Sequence, residues 1–168
     1  MNNAKHMLIA VDDSEASYRA VTYVGRIIGG RENFRVCLLH ASPSLPRELL
    51  ECGGASDPQQ EEQEEAHIGA EQSRWLEAVL QAAEPLFTRA RRILEDADVP
   101  ADAVETQMTD RVNTPDTVLD MLEAAPAQQC GTVVVGRESF HGLRTLLTSH
   151  VSDTLIRQAH DLTVWVVE

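Results

Sequence analysis

The chain has 168 residues, 43% of them hydrophobic, and a formal net charge of −13 at pH 7. A chain of this length buries roughly two-thirds of its unfolded surface, so we expect a single domain over residues 1–168. The acidic balance offers no basic face to nucleic acid or to an anionic membrane. No apolar run approaches the ~20 residues of a membrane span, and the N-terminus lacks a signal-peptide pattern, so we expect a cytoplasmic protein without membrane or nucleic-acid partners.

Cysteine and histidine spacing excludes two kinds of site. Cys37, Cys52 and Cys130 share no CxxC spacing, and the six histidines show no ligand spacing. The sequence therefore predicts neither a disulfide framework nor a metal site. Cys37 and Cys130 lie in apolar stretches and are expected to be buried, which leaves Cys52 as the candidate reactive thiol.

The first predicted elements are a strand, a helix and a second strand. His6–Val11 is an almost continuous apolar run, typical of a strand covered on both faces, and it stops at Asp12-Asp13. Apolar residues then recur at helical spacing from Ser14 until Gly29-Gly30 ends the helix. Phe34–Ala41 is the second predicted strand.

An acidic excursion over residues 43–71 interrupts this alternation. Eight acids and no Lys or Arg lie between Glu48 and Glu71. Pro and Gly at its start predict a mobile loop, and the Gln/Glu run at its end predicts a solvated helical stretch. The excursion is either plain solvated surface or an arm that binds a partner. The helix that follows reaches toward Asp96, with a kink or break expected at Pro85.

Three further strands complete the pattern. Ala103–Met108 precedes a helix capped near Thr114-Pro115, Thr132–Gly136 precedes a helix over Leu146–Ala159, and the last strand is Leu162–Val167. Strands alternating with helices predict an α/β fold with a parallel sheet covered on both faces. Ligands of such sheets bind beyond the carboxyl ends of the strands, where the candidate positions are Asp12, Asp13, Ala41, Thr109, Asp110 and Gly136 onward.

Two chemical activities are not supported. The paired acids after the first strand suggest a Mg²⁺-binding phosphoryl receiver, but that chemistry also needs a lysine after the fifth strand, and Lys5 is the sole lysine. Hydrolase and P-loop motifs are absent, and Ser149-His150 is best interpreted as a polar helix entry. We therefore predict no catalytic residue.

Three stretches resemble the universal stress protein family: HMLIAVDDSEASYRAVTYV (residues 6–24), VCLLHAS (36–42) and residues 131–168. The resemblance implies a three-layer αβα domain with five strands in the order 3-2-1-4-5. It also implies a homodimer through the C-terminal strand Leu162–Val167, whose exposed edge and Trp165 would otherwise face solvent. One branch of the family binds ATP or AMP through a G-x2-G-x9-G-(S/T) loop.

The loop of this chain departs from that motif. Gly136 takes the first glycine position, Ser139 and Ser149 take the second and third, and His150 takes the hydroxyl position. Side chains there oppose the close backbone approach that phosphate oxygens need. Asp12 resembles the family residue that contacts the ribose and base, while Asp13 replaces a frequent glycine and adds a negative charge that opposes ATP more than AMP or adenosine.

The resemblance thus predicts a stress-response or signalling protein that acts without catalysis through an unidentified protein partner and binds ATP weakly or not at all. The alternative is a regulator that depends on bound ATP or AMP. The candidate cofactor-binding residues are Val11, Asp12, Asp13, Ala41, Val135, Gly136, Ser139, Gly142, Ser149, His150, Val151 and Ser152.

Overall fold

The computed structural model describes residues 3–43, 45–50, 58–109, 117–137 and 149–168, with the backbone alone at 58–61, 63–65, 149 and 150. Its strands are β1 (Asn3–Ala10), β2 (Arg35–His40), β3 (Val104–Met108), β4 (Cys130–Gly136) and β5 (Thr163–Val167). Its α-helices are α1 (Glu15–Ile28), α2 (Pro58–Glu95), α3 (Thr117–Ala127) and α4 (Ser149–Gln158). Single 3-10 turns occur at Arg47–Leu49 and Ala101–Ala103.

The five strands form one parallel sheet in the order β3-β2-β1-β4-β5. This confirms both the α/β class and the expected order. From β1 the chain first moves outward to β2 and β3, then returns to place β4 and β5 on the other side of β1. The carboxyl ends of β1 and β4 therefore flank the point at which the strand order reverses, which is where open α/β sheets bind ligands.

Helices cover the sheet on both faces, as expected. Successive side chains of a strand point to opposite faces. Met7 and Ile9 pack in a core cluster with residues of α1 and α2, while Leu8 packs in a second cluster with residues of α3 and α4. This explains the uninterrupted apolar run of the first strand, because both of its faces are buried.

Helix α1 has the limits that its sequence predicts. Ser14 is the N-cap, and its side chain accepts a hydrogen bond from the Ser17 N–H. Gly29 is the C-cap, and its N–H donates to the Gly25 carbonyl. The apolar residues at helical spacing, among them Val21 and Val24, are buried against the sheet. Helix α1 is therefore fixed at both ends and along one face.

Several boundaries differ from the prediction. Strand β1 begins at Asn3 instead of His6, because Asn3 pairs with Cys130 of β4. The sequence predicts a kink or a break at Pro85; helix α2 continues through this residue, so the break is wrong, and the kink stays a prediction. Ala83 and Phe87 on either side of the proline are buried, and their packing offsets the hydrogen bond that the ring removes. The predicted cap at Thr114-Pro115 and residues 146–148 of the last helix lie outside the described residues.

The described part of the acidic excursion consists of two helical pieces. The turn Arg47–Leu49 comes first, and α2 begins at Pro58, inside the excursion. The side-chain amide of Gln72 donates a hydrogen bond of 2.7 Å to the Leu49 carbonyl, so the two pieces are joined. Glu62 and His67 are exposed, in agreement with a solvated helical stretch.

The C-terminal strand lies at an edge of the sheet, as predicted, with β4 as its neighbour. Trp165, however, is half-buried and packs against the core. Its ring centroid lies 5.9 Å from that of Tyr23 in an edge-to-face arrangement. The prediction that Trp165 faces solvent in a single chain is therefore wrong, because Tyr23 of α1 packs against it. Among the described residues, no helix is long and apolar enough to cross a bilayer.

Candidate functional site

A cleft of about 220 Å³ opens at the carboxyl edge of the sheet, where the strand order reverses. It lies between the ends of β1, β2 and β4 and the beginnings of α1, α3 and α4. The described residues that line it are Ala10, Val11, Asp12, Ser14, Ser17, Leu39, His40, Ala41, Thr117, Met121, Val135, Gly136 and Val151.

Asp12 and two serines form a hydrogen-bonded network along one wall of the cleft. Asp12 Oδ1 accepts from the Ser14 hydroxyl at 2.5 Å and from the Ser14 N–H at 2.9 Å. The Ser14 oxygen in turn accepts from the Ser17 N–H at 3.1 Å. The Ser17 hydroxyl oxygen accepts from the Asp12 N–H at 3.1 Å, which closes the ring. The Asp12 carboxylate therefore orients the cap of α1 as well as facing the cleft.

His40 ends β2 and forms another part of the cleft wall. Its Nδ1 lies 2.8 Å from the Val11 carbonyl oxygen. Because that oxygen can only accept, Nδ1 carries the proton, and in the neutral imidazole Nε2 is an acceptor. The His40 ring also packs edge-on against Phe87 of α2, at 6.2 Å between centroids. The side chain is thus held in place by β1 on one side and α2 on the other.

Beside this wall, the end of β2 is joined to the end of β3. The Ser42 N–H donates to Thr109 Oγ1 at 2.9 Å, and the Ser42 hydroxyl donates to the Thr109 carbonyl at 2.6 Å. Of the two positions that the sequence places after β3, Thr109 therefore contacts the loop after β2. Asp110 lies outside the described residues.

Gly136, at the end of β4, lies against the first turn of α1. A Cβ atom at Gly136 would overlap the carbonyl group of Ala16. Next to it, the Arg137 N–H donates to the Val167 carbonyl at 2.7 Å, and the Arg137 guanidinium pairs with Glu168 at 3.1 Å and Asp153 at 3.7 Å. This arginine therefore ties β4 to β5 and α4, and it is not among the cleft-lining residues.

The structure brings half of the predicted residues together in one cleft. These six are Val11, Asp12, Ala41, Val135, Gly136 and Val151. Asp13 is exposed and Ser152 is buried in α4, and neither is among the lining residues. Ser149 and His150 begin α4, where only their backbone is described. Ser139 and Gly142 lie outside the described residues.

Sequence reasoning missed several residues of the cleft. Ser17, Thr117, Met121 and His40 line it although none of them is among the predicted binding residues. Of these, His40 could have been found, because it lies one residue before the carboxyl end of the predicted strand Phe34–Ala41. Ser17 and Met121 belong to helices α1 and α3, and a helical period gives no sign that these positions face a cleft rather than the sheet.

The described lining of the cleft carries negative charge. None of the described lining residues is a Lys or an Arg, while Asp12 lines it and Asp13 follows directly. The remainder of the lining is largely aliphatic. Within the described part of the chain, no group of three or more His, Cys, Asp or Glu side chains is placed to hold a metal ion. The cleft thus combines an apolar floor with an acidic, hydroxyl-bearing rim.

A doubly wound parallel sheet with its cleft at the strand-order reversal defines the class of α/β proteins that bind ligands at that point. The family within this class follows from the sequence profile of the universal stress protein family, which matches residues 3–168. The chain belongs to the universal stress protein family. No curated protein matches it in sequence.

Solved structures agree on the fold. A universal stress protein family member from Burkholderia pseudomallei is 15% identical, with a TM-score of 0.63 and coverage of 98% of this chain and 96% of that chain. A universal stress protein in complex with cAMP is 17% identical, with a TM-score of 0.63 and coverage of 97% and 96%. The Archaeoglobus fulgidus universal stress protein in complex with dAMP is 15% identical, with a TM-score of 0.55 and full coverage of both chains, 100% and 100%.

Proposed function

We propose that this universal stress protein acts as a non-enzymatic regulator whose cleft accepts adenosine or AMP in preference to ATP, and binds ATP weakly or not at all. The observation that carries the proposal is the charge of the cleft. No Lys or Arg is among its described lining residues, the Asp12 carboxylate lines it, and the exposed Asp13 is the next residue in the sequence. Each additional phosphate brings negative charge toward these carboxylates, and the described lining offers no cation to offset it.

The apolar part of the cleft favours a nucleobase. Val11, Leu39, Ala41 and Met121 offer aliphatic surface, and the single acceptor nitrogen of His40 offers one polar contact. A mostly apolar lining with a few polar groups is typical of small-molecule sites. Two structures of the same fold are described with cAMP and dAMP, which are both monophosphates, and this supports the same class of ligand here.

The hydrogen bonds of the cleft support a role without turnover. In the described part of the chain, the hydroxyls of Ser14 and Ser17 bond to Asp12 and to backbone groups, and none of these bonds goes to His40. A nucleophilic serine would need such a base within hydrogen-bonding reach. These serines instead hold the first turn of α1.

Titration calorimetry with adenosine, AMP and ATP tests the preference. We expect AMP or adenosine to bind at least about tenfold more tightly than ATP. Replacing Asp13→Asn should strengthen ATP binding and leave adenosine unaffected, because only the phosphates sense the lost charge. Asp102→Asn, an exposed Asp in the turn before β3, is the matched control. Tighter binding of ATP than of AMP would contradict the proposal.

A triple variant tests the contribution of the loop. Ser139→Gly with Ser149→Gly and His150→Ser restores the family motif and should raise ATP affinity by about an order of magnitude or more, since backbone approach and one hydroxyl return. If the variant folds and its affinity for ATP is unchanged, these three positions do not weaken ATP binding. The weak binding would then be due to Asp13 or to the pocket for the base.

Phosphate release tests the absence of turnover. With ATP in excess, the protein should release phosphate no faster than a buffer blank. Steady release that disappears in Asp12→Ala, but persists in Asp102→Ala, would show an ATPase and overturn this part of the proposal.

A further inference from the structure

The N-terminal part of α2, residues 58–82, extends beyond the body of the protein. None of its described side chains is buried, and the first buried residue of the helix is Ala83. We call residues 58–82 the overhang. At roughly 1.5 Å per residue it is about 37 Å long. Trp75 is half-buried and Gln72 bonds to the Leu49 carbonyl, so one side of the overhang is partly covered. A helix with so little buried surface gains little stability of its own in water, because most helical stability comes from packing of an apolar face.

The overhang lies on the carboxyl side of the sheet. Phe87 contacts His40, which ends β2 at the carboxyl edge. Helix α2 connects the end of β2 to the start of the parallel strand β3, so it runs back along the sheet in the opposite direction. Residues that precede Ala83 therefore project past the carboxyl edge.

The apolar stripe of α2 continues into the overhang with only partial cover, because Val79 is half-buried while the two leucines of the stripe are exposed. Leu76 and Leu80 precede Ala83 and Phe87 by seven residues, which is two helical turns, so they lie on the same face of the helix. Ala83 and Phe87 are buried against the body, whereas Leu76 is 52% exposed and Leu80 is 50% exposed. The face that holds α2 to the core therefore ends in two adjacent, solvent-facing leucines.

Charge restricts what can cover these leucines. Within the overhang, the residues before them include one cation, Arg74, and five acids, Glu61, Glu62, Glu64, Glu65 and Glu71. Glu62 lies fourteen residues before Leu76 and so shares its face. A second copy of the overhang in parallel orientation would bring carboxylates toward carboxylates, and an anionic membrane would be repelled. The fitting partner carries apolar residues opposite the leucines and cations opposite the acids.

We infer that the overhang is a docking surface for a basic amphipathic helix of another protein. Apolar side chains of the partner at i, i+3, i+4 and i+7 cover Leu76 and Leu80, and its Lys or Arg residues lie beside the acids of residues 61–71. The acids accelerate encounter and exclude acidic partners, while the leucines supply the contact area. This surface does not require a nucleotide in the cleft.

The test uses the full chain and a fluorescent peptide of about 18 residues, with leucines at that helical spacing and Lys or Arg elsewhere. We expect saturable binding by fluorescence anisotropy, weakened about tenfold or more by Leu76→Gln with Leu80→Gln. Ile156→Gln is the matched control, because Ile156 of α4 is 54% exposed and lies outside the overhang. Replacing the acids at 61, 62, 64 and 65 by Gln should weaken binding and flatten its salt dependence.

Three results would overturn the inference. The first is equal binding of a scrambled peptide of the same composition, and the second is equal weakening by Ile156→Gln. The third is a fall in the molar mass of the unliganded protein on Leu76→Gln with Leu80→Gln, which would make a second copy the occupant. If circular dichroism shows that this double variant has lost helix content, the peptide is photo-crosslinked to the unmodified chain instead. Crosslinks within residues 58–82 would support the proposed docking surface, and crosslinks elsewhere would reject it.

Discussion

Gly136 of β4 packs directly on Ala16 in the first turn of α1, so closely that a Cβ atom at Gly136 would overlap the Ala16 carbonyl group. The glycine that the family motif assigns to phosphate binding is therefore also required by the packing of the end of β4 on α1. A loop that has lost its phosphate chemistry would still keep this glycine.

Gly136→Ala should lower the free energy of unfolding by about 1–3 kcal/mol, because the clash is with backbone rather than with a flexible side chain. Urea titration measures the change. Gly69→Ala is the control, since a Cβ there meets nothing within 4 Å, and in a helix it should stabilise by about 0.5–1 kcal/mol. Equal stability of Gly136→Ala and the unmodified protein would show that α1 and β4 are less closely packed than described.

Ser14→Ala should cost about 1 kcal/mol, because it removes the side-chain acceptor for the Ser17 N–H at the start of α1. Thermal unfolding followed by circular dichroism at 222 nm is a sufficient measurement. Ser73→Ala serves for comparison, because Ser73 is an exposed mid-helix residue whose hydroxyl donates to the Gly69 carbonyl. Its effect should stay within about 0.5 kcal/mol. Similar losses in both variants would contradict a specific capping role.

The protein should form a homodimer through its C-terminal strand. The directions in which the backbone groups of this strand point show which substitution tests the dimer. Val167 C=O points to β4, where it accepts from the Arg137 N–H. Since alternate residues of a strand point to opposite sides, the N–H of Val164 points to the open edge. Val164→Pro therefore removes an outward donor and leaves the pairing with β4 intact.

Light scattering should give about twice the chain mass of 18.5 kDa for the unmodified protein and a mass close to that of one chain for Val164→Pro. Val164→Ala shortens the same side chain but retains the donor, so it should remain dimeric. A monomeric unmodified protein would reject the strand-edge dimer, and a monomeric Val164→Ala would assign the contact to side chains instead of the backbone.

Alkylation should separate the three cysteines. Cys37 and Cys130 are buried, as the sequence predicts. Burial raises the pKa of the Cys37 thiol to about 12 and that of Cys130 to about 11, so both stay protonated and unreactive near neutral pH. Iodoacetamide should modify Cys52 alone in the native protein and all three after denaturation, as read by peptide mass spectrometry. Native labelling of Cys37 would contradict its burial.

The same two thiols make the free energy of unfolding depend on pH in the alkaline range. Their folded-state pKa values lie above the ordinary value of 9.0, so their protonated forms stabilise the fold below about pH 9, and this contribution is lost as the pH rises toward 11. The free energy of unfolding should therefore fall over this window. Cys37→Ala removes one of the groups and should make the decline shallower. If the free energy of unfolding declines with the same slope in that variant, the decline is due to other groups. Tyr18 is one such group, because burial raises its pKa as well.

The order of elements and the layers could be predicted because they follow from local patterns. The uninterrupted apolar run of β1, the cap at Ser14 and the stop at Gly29 each depend on a few neighbouring residues. Parallel strands joined by helices leave little choice of topology. The carboxyl edge as the place of the cleft follows from the same rule, which is why Asp12 and Ala41 were found.

The sequence alone determined the fold class, the family, the acidic charge and the positions at which the nucleotide loop departs from its motif, since all of these are local or compositional. Only the tertiary structure decided that Asp12 orients the α1 cap, that His40 lines the cleft, that Gly136 serves packing on Ala16, and that α2 passes through Pro85. These properties depend on contacts between residues that are distant in the sequence and that form when the helices pack on the sheet. Hydrophobic periodicity does not predict such contacts.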